Sequence, residues 1–127
     1  MIHEEICTYE VAKLAKEKGF DAPTHYAYNE NRQKAMYMEL CLNRNTKDSR
    51  SISAPAQSLL QRWLREEKGI HISVEYEWVE GIDDWTFWAY IKKIKNAKVV
   101  NDAIKSGFNT YELTLEDALK YALENLV

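Results

Sequence analysis

Alternation in the middle of the chain constrains its fold most. Ile72, Val74, Tyr76 and Trp78 alternate with His71, Ser73, Glu75 and Glu77. After the loop Glu80-Gly81-Ile82-Asp83 comes the aromatic and β-branched run Trp85-Thr86-Phe87-Trp88-Ala89-Tyr90-Ile91. A period of two is that of a strand with one apolar face, and two such runs across a short loop form a hairpin. Side-chain alternation also selects the register. If Val79 pairs with Asp84, then Trp78 faces Trp85, Tyr76 faces Phe87, Val74 faces Ala89 and Ile72 faces Ile91, a wholly apolar face. A slip of one residue sets Glu75 and Glu77 beside Phe87 and Trp85, a worse core. The preferred register leaves Trp88 and Tyr90 on the second face, next to Ser73, Glu75 and His71. Two large aromatics there need cover from a helix of the chain, from its first-half strands, from a second subunit or from a partner. Trp and Tyr suit surfaces where one end stays wet. Trp88, Tyr90, Glu75 and Ser73 are therefore the candidate interface.

Three helices flank this hairpin. Around Tyr9–Lys18, Thr8 is the expected N-cap, Glu10 lies in the first turn and Gly19 follows the end; Val11, Leu14 and Ala15 form a narrow stripe. The strongest helical pattern places Ala56, Leu59, Leu60, Trp63 and Leu64 on one apolar face. For that second helix Ser53 is the expected N-cap, Pro55 sits in the first turn, Gly69 takes the left-handed C′ position and Ile70 folds back as C″. A third helix is expected to start after Thr114, paired with Asp117 in a capping box, with Leu115, Ala118, Leu119, Ala122, Leu123 and Leu126 as its stripe.

Weaker strands are expected at about His25–Tyr28 and Met36–Leu42, and a short one near Phe108–Leu113. The polar stretch 43–51 reads as a mobile loop and residues 1–7 as a frayed terminus. Together these elements specify a single α+β domain over 1–127, an antiparallel sheet with three helices packed mainly on one face, in the order α-β-β-α-β-β-β-α. The 127 residues are one domain's worth. No apolar run approaches the ~20 residues that span a bilayer. Met1–Ile6 lacks the basic and apolar regions of a secretion signal, and two cysteines make no disulfide framework. The expected location is the cytoplasm.

Charge narrows the function classes. The net charge of −3 argues against a dedicated nucleic-acid coat. The one basic block, Lys92, Lys93, Lys95, Lys98 and Lys105, is expected just after a strand and in the following loop. It reads as a solvated connector, with phosphate contacts as the alternative. Helix–hairpin–strand–helix over 53–127 matches the order of a double-stranded-RNA-binding domain, yet Leu115-Glu116-Asp117 stand where such a domain carries lysines. A recognition helix with Gln57, Gln61, Arg62 and Arg65 outward would be followed by a wing whose tip holds Glu80, Asp83 and Asp84, the wrong sign for phosphate.

Catalytic patterns are equally sparse. His3, Cys7, His25, Cys41 and His71 include no close-spaced ligand pair of the Cys-x-x-Cys kind, so neither metal nor cofactor is expected. There is no Gly-x-Ser-x-Gly elbow, His-Glu-x-x-His motif or glycine-rich phosphate loop. Asp83-Asp84 reads as a solvated turn, and Cys41 with His71 or His25 lacks a protease signature. The expectation is a non-enzymatic protein.

The stretch Ser53-Ala54-Pro55-Ala56-Gln57-Ser58-Leu59-Leu60-Gln61-Arg62-Trp63-Leu64-Arg65-Glu66, followed by Gly69-Ile70-His71-Ile72-Ser73-Val74, carries a resemblance, as does the acidic, alanine-rich helix Thr114–Leu123. The chain resembles small uncharacterised proteins of gut Bacteroides-type bacteria and of their phages and mobile elements. That resemblance implies an accessory or phage-related role and brings no activity, catalytic residue or cofactor with it. The leading expectation is action through protein–protein contact or self-association; a nucleic-acid-binding regulator is second and an enzyme third.

Overall fold

The computed structural model describes residues 3–36, 45 and 50–127. It is an α+β fold of three helices and two three-stranded antiparallel sheets. The longer elements follow the expected order, with a two-residue strand added ahead of the second helix. Helix α1 spans Tyr9–Glu17, and the Thr8 side chain accepts from the Val11 N–H at 3.4 Å, as an N-cap should. Strands β1 (Tyr26–Tyr28), β2 (Lys34–Met36) and β3 (Ile52–Ser53) form the small sheet in the order β2-β1-β3. The Asn29 side chain closes the β1–β2 turn by accepting from Asn31 and Gln33 N–H groups. Of the strand expected over Met36–Leu42, residues 37–42 lie outside the described residues, as do Cys41 and most of 43–51.

Helix α2 spans Gln57–Lys68, and its start corrects the sequence reading. Ser53 is not its N-cap: it pairs with Ala27 in β3, while Ala56 occupies the cap position with no side-chain bond. The backbone of the N-terminal segment does the capping instead. Gln57 N–H donates to the Glu5 carbonyl and Cys7 N–H to the Pro55 carbonyl, each at 2.9 Å. Residues 5–7 are consequently pinned rather than frayed, and Cys7 is fully buried. At the other end Gly69 adopts φ 65°, the expected left-handed C-cap, and a Cβ there would stand 2.6 Å from the Ile94 carbonyl oxygen.

The larger sheet is a meander of β4 (Ile70–Val79), β5 (Asp84–Lys95) and β6 (Lys98–Phe108). Its hairpin register is the one that keeps the apolar face whole, with Val79 opposite Asp84, Trp78 opposite Trp85 and Ile72 opposite Ile91. The third strand differs from expectation. It runs back from Lys98 rather than starting near Phe108, joined to β5 through Asn96 and Ala97, both at positive φ. Register shifts at Phe87/Trp88 and Lys93/Ile94 break its alternation, which is why the pattern is faint in the sequence. Helix α3 spans Tyr111–Asn125 and begins a turn earlier than expected. Thr110 is its N-cap, accepting from Leu113 N–H at 3.1 Å. Thr114 is buried within the helix and its hydroxyl donates to the Thr110 carbonyl.

The core sits between the meander and the helices. Leu60, Trp63 and Leu64 of α2 and Leu115, Ala118, Leu119, Ala122 and Leu123 of α3 pack with Ile70, Ile72, Ala89 and Ile91. Helix α1 lies against α3 and β3, adding Val11 and Ala15 to that core, while Ala12, Tyr28 and Ala54 form a satellite under the small sheet. No described helix is long and apolar enough to cross a membrane.

Candidate functional site

Helices α2 and α3 cover one face of the meander. Burial along β4 shows it: Ile70 and Ile72 are buried while His71, Ser73 and Glu75 are exposed. Across the opposite, outer face the register aligns His71, Lys92 and Asp102 in one row and Ser73, Tyr90 and Ile104 in the next. Glu75 then stands beside Trp88, and Glu77 beside Thr86. The four candidate interface residues do share this face.

Its aromatics are held in place. Trp88 Nε1 donates to Thr86 Oγ1 at 2.7 Å, and the Tyr90 hydroxyl donates to Glu77 Oε1 at 2.6 Å. The bond to Glu77 holds the Tyr90 phenol above its ordinary value, with desolvation and the Glu77 and Glu75 charges adding to it. With both polar tips satisfied inside the face, ring surface is what remains for a partner. Trp88 and Tyr90 are half-buried by neighbours on the sheet, and Ile104 beside Tyr90 is 59% exposed.

The lysine block lies within β5 and β6, not in a loop after a strand, and it divides. Lys92 faces outward in register with Asp102. Lys93 Nζ donates to the Leu126 carbonyl at the end of α3, where the helix dipole favours a cation. Lys105 Nζ stands 4.6 Å from the centre of the Tyr121 ring. Lys95 and Lys98 flank the β5–β6 turn. Such a division does not build one phosphate-binding patch. The proposed recognition helix fares no better. Gln57 is only 5% exposed and donates to the Glu112 carbonyl and to Glu116 Oε2. Gln61 Nε2 donates to the Ile72 carbonyl at 2.8 Å. Only Arg62 and Arg65 of that set are exposed.

A second aromatic surface escaped the sequence reading, which assigned the whole inner face of the hairpin to the core. Near the hairpin tip that face is open: Tyr76 is 56% exposed, Trp78 49% and Trp85 48%. Length explains it. Helix α2 has 12 residues and α3 has 15, about 18 and 22 Å, whereas the arms of 10 and 12 residues reach about 34 and 40 Å. The helices end before the strands do. The overhanging rings form a chain: Trp78 against Trp85, Trp85 stacked on Tyr76 at 5.3 Å, Tyr76 on Phe87, and Phe87 edge-on to Tyr111 of α3. Comparing element lengths, rather than alternation alone, is the signal that finds this surface in the sequence.

Among the described residues no three His, Cys, Asp or Glu side chains gather as metal ligands. Burial, reinforced by the Glu116 charge, pushes the Cys7 thiol well above its ordinary value, opposite to what a nucleophile needs. Comparison with protein-family models, curated proteins and solved structures finds no match to this chain.

Proposed function

We propose that this chain is a non-enzymatic accessory protein that works by protein–protein contact through the outer face of the meander, first of all with a second copy of itself. One observation carries the reading: oriented rings of Trp88 and Tyr90, with exposed Ile104 beside them, lie on the sheet face opposite α2 and α3. Charge along that face is mixed: Lys92 stands in register with Asp102 at one end, and Glu75 and Glu77 stand toward the other. Three strands up to ~40 Å long at ~4.8 Å spacing present ~600 Å², below the ~800 Å² of a standard partner surface, so the contact is weak and reversible. The phage and mobile-element setting implied by the resemblance at Ser53–Glu66 and Thr114–Leu123 belongs to this proposal and suits a small accessory factor.

Sedimentation of wild type, Trp88→Ala and Ile104→Glu, alongside their urea melts, tests it. Expected is concentration-dependent dimerisation that Trp88→Ala weakens by ~2 kcal/mol or more and Ile104→Glu abolishes, with little change in monomer stability. A wild type that stays monomeric at high concentration, with a Trp88→Ala variant that melts early, refutes the self-association.

A further inference from the structure

We infer that the aromatic overhang at the tip of the β4–β5 hairpin, with the edge of β4 beside it that is unpaired among the described residues, is a docking site for an extended, Lys- or Arg-bearing segment of a partner protein. This surface lies on the inner face, opposite Trp88 and Tyr90, so it stands whether or not the outer face dimerises.

Three observations carry the inference. The first is exposed ring area: Trp85 stacks on Tyr76 and meets Trp78 edge-on, and all three rings are about half open to solvent. The second is charge. Residues 69–91 hold no lysine or arginine and five carboxylates, of which Glu80, Asp83 and Asp84 stand at the hairpin tip and Glu75 and Glu77 on the outer face of β4. Elsewhere this protein places its own cations over rings: Arg32 over Tyr9, Lys34 over Tyr26, Lys68 over Trp63 and Lys105 over Tyr121. Among the described residues none lies over the overhang. Ring faces with an acidic fringe attract a cation by quadrupole and charge together. The same fringe opposes tip-to-tip pairing of two copies and any nucleic acid.

The third observation is the strand edge. Ile94 N–H donates to the Gly69 carbonyl at 2.8 Å, and the β4–β5 register is unbroken. Antiparallel alternation then turns the main-chain groups of odd-numbered β4 residues toward β5 and those of even-numbered ones outward. Gln61 already occupies the outward Ile72 carbonyl. The next outward groups belong to Val74, Tyr76 and Trp78, beside the rings. A peptide adding there as a strand presents alternate side chains to the rings and the others to Glu75 and the outer fringe. The fitting segment therefore carries cations at every second position rather than in a run.

The test uses fluorescence anisotropy with a labelled peptide of about eight residues, one strand's length, alternating arginine with threonine. A second probe has the same composition with its arginines consecutive, and a third replaces arginine by glutamate. Expected is binding of the alternating peptide, at least ~10-fold weaker binding of the consecutive one, and none of the acidic one. Trp85→Ala and the more strand-compatible Trp85→Thr leave every charge in place, and either should weaken binding by ~10-fold or more, as loss of one good cation–ring contact does. Ile104→Glu, on the other face, should leave binding unchanged, separating this result from failure of the dimer. Equal binding of the two arginine peptides, or no effect of a folded Trp85 variant, overturns the proposal. So does self-association of the wild type that Lys95→Glu/Lys98→Glu abolishes while no peptide binds, because the occupant is then the basic turn of a second copy.

Discussion

Glu116 ties together the starts of all three helices. Its Oε1 accepts from the Thr8 backbone N–H at 2.7 Å, at the cap of α1, and its Oε2 accepts from Gln57 Nε2 at 2.7 Å, in the first turn of α2. Glu116 itself lies in the second turn of α3. Hydrogen bonds to a carboxylate contribute about 1.5–3 kcal/mol each, roughly twice a neutral pair. The Thr8 bond is solvent-exposed and water replaces it readily, so its loss should count at the low end. Gln57 is buried and keeps only the Glu112 carbonyl as acceptor when the carboxylate goes. Glu116→Ala should therefore cost about 2–3 kcal/mol, far above the ~0.5 typical of a surface helix position. Urea melts of wild type, Glu116→Ala, Gln57→Ala and the double variant should give a coupling of about 1 kcal/mol or more between the two residues. A Glu116→Ala cost below ~0.5 kcal/mol, or strictly additive variants, refutes the junction.

Two further predictions concern stability. Leu60→Ala empties a fully buried site at the α2–sheet contact and should cost ~2–5 kcal/mol, while Gln61→Ala should cost about 1 kcal/mol by removing the donor to Ile72; equal melts for both would contradict the packing of α2. Because burial raises the Cys7 thiol, the unfolded chain loses that proton first as pH climbs past the ordinary thiol range near ~8.5. The unfolded state then binds fewer protons, so this part of the stability is complete below that pH and declines above it. In a Cys41→Ser background, urea midpoints taken from about pH 7 to pH 10 should fall more steeply with Cys7 present than in Cys7→Ala, and parallel profiles would rule out the effect.

Local rules read the hairpin and the helix stripes correctly because each is decided within a few residues. One slip of register exposes an apolar face to carboxylates, so Ile72–Trp78 against Trp85–Ile91 has a single good solution. Helix starts were less legible. Ser53 and Thr114 have the right side chains for caps, but the first α2 donor, Gln57 N–H, is met by the Glu5 carbonyl across the chain, and Thr110 lies a turn ahead of Thr114. Strand β6 was hidden by its two register shifts, which moved the lysines from an imagined loop into a sheet. At the candidate surface, alternation placed Trp88 and Tyr90 on their face. It gave no information on where the helices stop, and so none on the exposure of Tyr76, Trp78 and Trp85.

The central place of α3 has a consequence for the order of events during synthesis. The meander needs only contacts between neighbouring strands and can pair as soon as Phe108 has emerged from the ribosome. Its apolar face is closed by a helix that comes later in the chain and also seats α1 and α2. At ~5–20 residues per second, the ribosome adds the stretch from Phe108 to Asn125 in ~1–3 s. Hairpins form in microseconds, so for that interval the sheet waits with only α2 on its apolar side and the part that α3 covers open. A truncated chain released before Leu115 should therefore attract holding chaperones far more than one released after Leu123.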